Sequence, residues 1–403
     1  MKKRLQFDIY IICLLLVFSA TLHAQKVETI EEGIRVVHND KTGKWGKTPQ
    51  VSIEFVGNIG ELETEDENLA FHIPSDIATD GQGNIYILDA GNHRIQKFDP
   101  DGNYIETIGR RGQGPGEFYL PLSLDIDSRG YLYVSDPQNQ RVQILKPDGT
   151  DYKTISFHEN PAGTIRLSKS GDMVMGKGGI IFAFGPGGRS QGPEKLMKIL
   201  DSEGNILREF GEPATYKDSF VNRTGNNFRF AVDKDDSVYV SFEYQNRIEK
   251  YSPQGEILWK ADRKLDYSTD LSRAKAQVKR SGGNVQVRGP EMNRCSMGVA
   301  VDDKGRVWVV TFKRQLKEEE QVQSGISVSM MNGQRSVSLS YEGATDNRET
   351  DSFQLEIYDA NGVLLGSIPL THFVDDIRII GDRIFLLDKA RGAQYYEYKI
   401  IEN

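Results

Sequence analysis

Cysteine is nearly absent from this chain: Cys13 and Cys295 are the only two in 403 residues. One of them lies in an N-terminal apolar stretch, so no disulfide framework is available and stability must come from a large core. Positive charge is also in deficit, with 50 Lys and Arg against 58 Asp and Glu. That balance argues against nucleic acid as a partner, because nucleic-acid binding needs a basic footprint. Catalytic signatures are missing as well. There is no Gly-x-Ser-x-Gly elbow, no His-Glu-x-x-His and no Cys-x-x-Cys, and the six histidines are scattered. The glycine-rich "GPGGRSQGPEK" lacks the Gly-Lys-Ser/Thr ending of a phosphate loop and leads into no helical pattern.

The one marked apolar run is "IYIICLLLVFSA", which follows Lys2, Lys3 and Arg4 and precedes "TLHAQ". Basic, apolar and small residues in that order predict a secretory signal peptide over residues 1–24, cleaved after Ala24. The run is shorter than the ~18 to 20 residues of a membrane-spanning helix, and no later segment comes closer, so no transmembrane segment is expected after cleavage. A retained N-terminal anchor is the alternative. Cys13 lies inside the run, which gives no support to lipid attachment at a new N-terminal cysteine. Loss of Lys2, Lys3, Arg4 and Asp8 takes the net charge from -8 to about -10. The expected address is the periplasm or the cell exterior.

What the sequence has in abundance is repetition. Asp80, Asp127 and Asp233 are each followed 14 residues later by Arg94, Arg141 and Arg247, and eight residues after those by Gly102, Gly149 and Gly255. The first two units lie 47 residues apart. Between the anchors, "NIYILD", "YLYVSD" and "SVYVSF" are short, β-branched and aromatic, and bounded by turn residues. The segments "RIQKFDPDG", "RVQILKPDG" and "RIEKYSPQG" then alternate apolar and polar residues into a tight turn. Weaker copies fill the rest of the chain and bring the count to six units. The last has three strands, and an unattached strand-like "VSIEFVGNIG" stands near the N-terminus. These features predict an all-β, six-bladed β-propeller of four-stranded antiparallel blades, its ring closed by an N-terminal strand in the last blade. Residues 25–50 are a lead-in and residues 51–403 the propeller.

"GNIYILDAGNHRIQKFDPDGNYIETIGRRGQGPGEF" resembles the NHL repeat: a Gly-Asn turn, a strand ending in Asp89, then Asn92-His93-Arg94-Ile95, a Pro-Asp-Gly turn, and a glycine-rich passage into Phe118. The next unit keeps Asp136, Asn139 and Arg141 but has Gln140 in place of the histidine. The resemblance implies a propeller of a type common among secreted bacterial proteins, mostly binding modules with a minority of enzymes. Recurrence of Asp89, Asn92 and Arg94 as Asp136, Asn139 and Arg141, with Arg247 in a later unit, reads as a structural brace across each loop between the second and third strands, with the asparagines suited to the turn.

Strand order puts every long insertion on one face of the disc. The insertions lie near residues 176–194, 262–293 and 313–350, about 14, 22 and 38 residues beyond the standard unit. The second carries Arg263, Lys264, Arg273, Lys275, Lys279, Arg280, Arg288 and Arg294, either a solvated basic segment or a contact for an anion or acidic glycan. The third holds two strand-like runs around Asn332-Gly333, a hairpin signal. One residue per innermost strand forms an axial ring: Asp76, Ser123, Thr164, Arg229, Gly298 and Asp375, with His72, Asn227, Arg294 and Asp376 near the same mouth. An ordinary polar channel is the leading reading of the ring.

The function expected is that of a non-catalytic module binding a protein, peptide or glycan on the loop-rich face, with no cofactor and no catalytic residue. The alternative is a metal-dependent propeller hydrolase or lyase acting at the axis through Asp76, Asp375 and His72 with a divalent ion. Propeller amidating lyases and lactonases, which the scaffold is similar to, hold such a metal with His or carboxylate side chains. Arg229 in the ring disfavours a cation there.

Overall fold

A computed structural model describes residues 27–61, 64–157, 163–176, 195–281, 284–331 and 334–403. The proposed signal peptide, most of the first insertion and the Asn332-Gly333 dipeptide lie outside the described residues.

Six antiparallel sheets stand around one axis. In blade 1 the strands, innermost to outermost, are Pro74–Thr79, Ile85–Asp89, Arg94–Phe98 and Tyr104–Ile108. Blade 2 repeats the order with Ser123–Ile126, Leu132–Asp136, Arg141–Leu145 and Asp151–Ser156. The innermost strands of blades 3 to 6 are Thr164–Leu167, Phe228–Val232, Ser296–Val301 and Asp376–Ile380. Second strands such as Ile85–Asp89 and Val238–Phe242 are buried at every residue because each blade is covered on both faces by its neighbours. That explains why they read as continuous apolar runs and not as alternating ones. The turns are held by aspartates: the Asp80 carboxylate accepts the backbone N–H groups of Gln82 and Asn84 at 2.9 and 3.0 Å, and Gly83 takes φ 85°.

Ring closure is direct. Val51–Ile59 forms the outermost strand of blade 6, antiparallel to Gln394–Glu402, and the Asn403 N–H donates to the Gln50 carbonyl at 3.0 Å. Every blade interface is apolar; between blades 5 and 6 it holds Trp308, Phe312, Phe353, Phe373 and Ile384.

The lead-in is more than a tether. Val27–Glu31 and Ile34–Asn39 form a hairpin, and its second strand adds in parallel to Ile257–Arg263, the outermost strand of blade 4. The chain then crosses blade 5, where Lys44 and Trp45 donate backbone hydrogen bonds to Leu364 and Leu365, before it enters blade 6. Three blades are thereby strapped together along the rim.

Two features depart from the sequence-based expectation. The crossing into blade 4 holds one helical turn, Ser219–Thr224, capped by the Asp218 carboxylate on the Phe220 and Val221 N–H groups. The second insertion, read from sequence as a basic loop, forms a hairpin of Gln277–Ser281 and Asn284–Arg288. The third insertion pairs Val322–Met331 with Gln334–Gly343.

Candidate functional site

The repeated aspartates sit at the ends of the second strands and organise the loops above them. Asp89 accepts the His72 N–H at 2.8 Å, the Asn92 amide at 2.8 Å and Arg94 Nε at 2.9 Å. Asp136 does the same with the Tyr119 N–H, Asn139 and Arg141 at 3.1, 2.7 and 3.2 Å. Arg94 and Arg141 reach on to backbone carbonyls of the incoming crossing, so each triad ties three loop segments together. Arg247 is different. Phe242 stands where the aspartate would be, and the guanidinium stacks 3.8 Å from the centre of its ring.

At the axis the polar residues mostly satisfy one another. Asp76 accepts Arg166 Nη1 at 2.7 Å and the Leu124 N–H at 3.0 Å, while Ser123 accepts the Ile165 N–H at 2.9 Å. Asp376 faces Arg229 at 3.4 Å, and Arg378 reaches Asp125 at 3.4 Å. The ring register corrects one position: Asp376 opposes Leu387 as Asp76 opposes Leu88, so Asp376 and not Asp375 points inward, because adjacent strand residues face opposite ways. Gly298 is needed opposite it, since a Cβ there would lie 2.7 Å from the Asp376 carboxylate. Thr164, Arg166, Arg229 and Asp376 line a cavity of about 10 Å³, room for one water. Burial raises the Asp376 carboxyl above the usual carboxylate range against the pull of Arg229 and Arg166. His72 does not join this group; its ring is exposed over Gly91. Among the described residues no three His, Cys, Asp or Glu side chains are placed to hold a metal.

Asp375, displaced from the ring, accepts the Lys389 N–H at 2.8 Å. Next to Lys389 lies Asp388, a residue that sequence reasoning did not single out although "IFLLD" ends as "IYILD" does. Burial and the nearby Asp375 charge push its carboxyl up to about 7, and its Oδ2 has no hydrogen-bond partner among the described residues. The Lys389 amine likewise makes no hydrogen bond or ion pair among them, and burial together with Arg229 lowers its pKa.

The second and third insertions meet above blades 4 and 5 and enclose a cleft of about 950 Å³. Tyr244, just past the second strand of blade 4, and Phe312, at the end of that of blade 5, are buried at its floor, and Met292, Leu316 and Val322 add apolar wall. Arg294 is its only lysine or arginine among the described residues, and Glu243 pairs with that guanidinium at 3.2 Å. Asn227 donates to the other Glu243 oxygen at 3.4 Å, so Asn227 and Arg294 share one carboxylate beneath the cleft. Gln315 clasps the Arg294 backbone, accepting its N–H and donating to its carbonyl, each at 2.9 Å. Burial and the Glu243 charge raise the Tyr244 phenol, which stays neutral at physiological pH. The far wall is anchored too: Glu320 binds Arg314 and Thr350, and Arg391 of blade 6 donates to the Glu320 carbonyl at 2.6 Å. Arg263, counted from sequence with the basic insertion, is buried 3.0 Å from Glu356 and serves the blade 4 to blade 5 contact. Tyr244, Glu243 and Gln315 were not legible as site residues, because only the crossing of two insertions distant in sequence brings them together.

The six radial sheets, with the ring closed by Val51–Ile59, define a six-bladed β-propeller. The chain belongs to the DUF5128 family, described as a six-bladed β-propeller, whose model matches residues 24–270. No protein of curated function matches the sequence. Many solved structures share the fold. A DUF4221 family member from Bacteroides vulgatus aligns with TM-score 0.54 and 10% identity over 88% of this chain and 99% of its own. A candidate exported protein from Bacteroides fragilis aligns with TM-score 0.50 and 11% identity over 91% and 99%. Virginiamycin B lyase from Staphylococcus aureus aligns at TM-score 0.45 and 11% identity over 87% and 100%, too loose a match to bear on chemistry. At these identities the likeness is one of fold.

Proposed function

We propose that this protein is an exported, non-catalytic binding module that takes a protein, peptide or glycan in the cleft of its loop-rich face, with NHL-like repeats serving as scaffold in its first blades. The observation that carries this reading is the cleft itself, about 950 Å³ with an aromatic floor and walls from two insertions. Concave sites of that size with a few oriented polar groups are where ligands bind. The polar side chains at the axis, by contrast, are already engaged with one another. Probing immobilised peptide and glycan libraries with the purified mature chain and with Asn293→Trp, which fills the cleft from its wall, tests the proposal. Ligands captured by the first and lost by the second support it; captures that are all indifferent to the plug overturn it.

A further inference from the structure

The electrostatics of the cleft select the sign of what enters it. Glu291, Glu318 and Glu342 line it and are exposed, and their carboxylates make no hydrogen bond or ion pair among the described residues. Arg294, the one Lys or Arg lining it among the described residues, is neutralised by Glu243 at 3.2 Å. Glu320, on the same insertion as Glu318, shows the contrast, being fully engaged by Arg314, Thr350 and the Lys317 N–H. Three carboxylates without a partner among the described residues repel anions and attract cations. The cleft is also bordered by Val322 and Gly343, at the base of a two-stranded hairpin whose outer edges pair with no other strand among the described residues. Unpaired strand edges are templates for an extended chain.

We infer that the cleft receives an extended polypeptide segment bearing lysine or arginine. This rests on the reading of the cleft as the binding site and sets aside the anion or acidic-glycan contact that the basic second insertion offered as an alternative, because Arg294 is the one of its basic residues that lines the cleft among the described residues and Glu243 pairs with it. The preference is tested by fluorescence anisotropy at low salt with short labelled peptides that alternate glycine with lysine, glutamate or serine, and with a glucosamine oligomer. The protein is used as the mature chain, as E291Q/E318Q/E342Q and as Asn293→Trp. The lysine peptide should bind at least roughly tenfold tighter than the glutamate and serine peptides, and the triple substitution should erase that margin with the melting temperature unchanged. Equal, plug-sensitive binding of all three peptides overturns the charge preference while the cleft stands. Lysine-peptide binding that survives the plug overturns the cleft as well. Tighter binding of the glucosamine oligomer, or no binding of the lysine peptide, overturns the polypeptide ligand.

Discussion

Asp388 and Asp136 end equivalent strands and should respond to substitution in opposite ways. Asp136 is bound by Asn139 and Arg141, and Arg141 is itself buried. Asp136→Asn turns an amide toward two donors and strands that guanidinium, at about 3 to 5 kcal/mol, so the urea midpoint should fall sharply. At Asp388 the residues three and five positions on are Arg391 and Ala393 in place of Asn and Arg, and the carboxylate gains one backbone donor, the Arg391 N–H at 3.1 Å. Its folded pKa of about 7 lies above the ordinary 3.8. The folded state therefore holds a proton that the unfolded chain releases near pH 4. The resulting stabilisation is full below that pH and lost as pH rises through about 7. The gap corresponds to at most roughly 4 kcal/mol. Asp388→Asn keeps an acceptor for the Arg391 N–H and removes the charge, so its melting temperature should exceed that of the wild type by several degrees at pH 8 and differ little at pH 4. A difference independent of pH would refute the assignment. The strand ending in Asp388 was legible, since its pattern matches the earlier blades. What could not be read was the consequence of losing the partners, because the charge of Asp375 and the depth of burial depend on how the blade packs.

At the scale of elements, the closing strand and the lead-in were unequally visible. A last unit one strand short and a spare strand-like segment at the N-terminus together called for Val51–Ile59 in blade 6, an inference from counting. The hairpin on blade 4 left no such deficit, because that blade already had its four strands, and nothing local marks a parallel addition to a strand far away in sequence. Its contribution lies in tight contact along the rim. Gly43 runs so close to blade 5 that a Cβ would sit 2.3 Å from the Leu365 carbonyl carbon and oxygen, and Trp45 packs over Gly366. Gly43→Ala should lift the strap off the rim and cost about 1 to 3 kcal/mol. Hydrogen exchange is expected to accelerate at Ile34–Asn39 and Leu364–Pro369 while the inner strands of blades 1 to 3 stay protected. Uniform acceleration across all blades would mean that the strap is integral to one cooperative unit.

The axial charges belong to the whole molecule, since no two neighbouring residues in sequence create them. Asp76, Asp125 and Asp376 come from blades 1, 2 and 6, and Arg166, Arg229 and Arg378 from blades 3, 4 and 6. Three carboxylates facing three guanidinium groups leave no formal charge for a cation to neutralise. Individual acidic positions could be read from the repeat, but Arg166 and Arg378 lie two residues beyond the aligned ring position and were not counted with it. The sequence-based ring therefore looked more acidic than the channel is. Because Arg166 is 6% exposed and bonded to Asp76, Arg166→Met should leave that buried aspartate with only the more distant Arg378, at 3.9 Å, lowering stability by about 3 kcal/mol at neutral pH. The same geometry leads to the expectation that metal removal has no effect: a chelator should leave the melting temperature unchanged, and elemental analysis of the purified protein should find no stoichiometric divalent ion. A bound ion at full occupancy whose loss lowers the melting temperature would require the arginine pairs to open in solution, and the axis, not the cleft, would then be the place to look for chemistry.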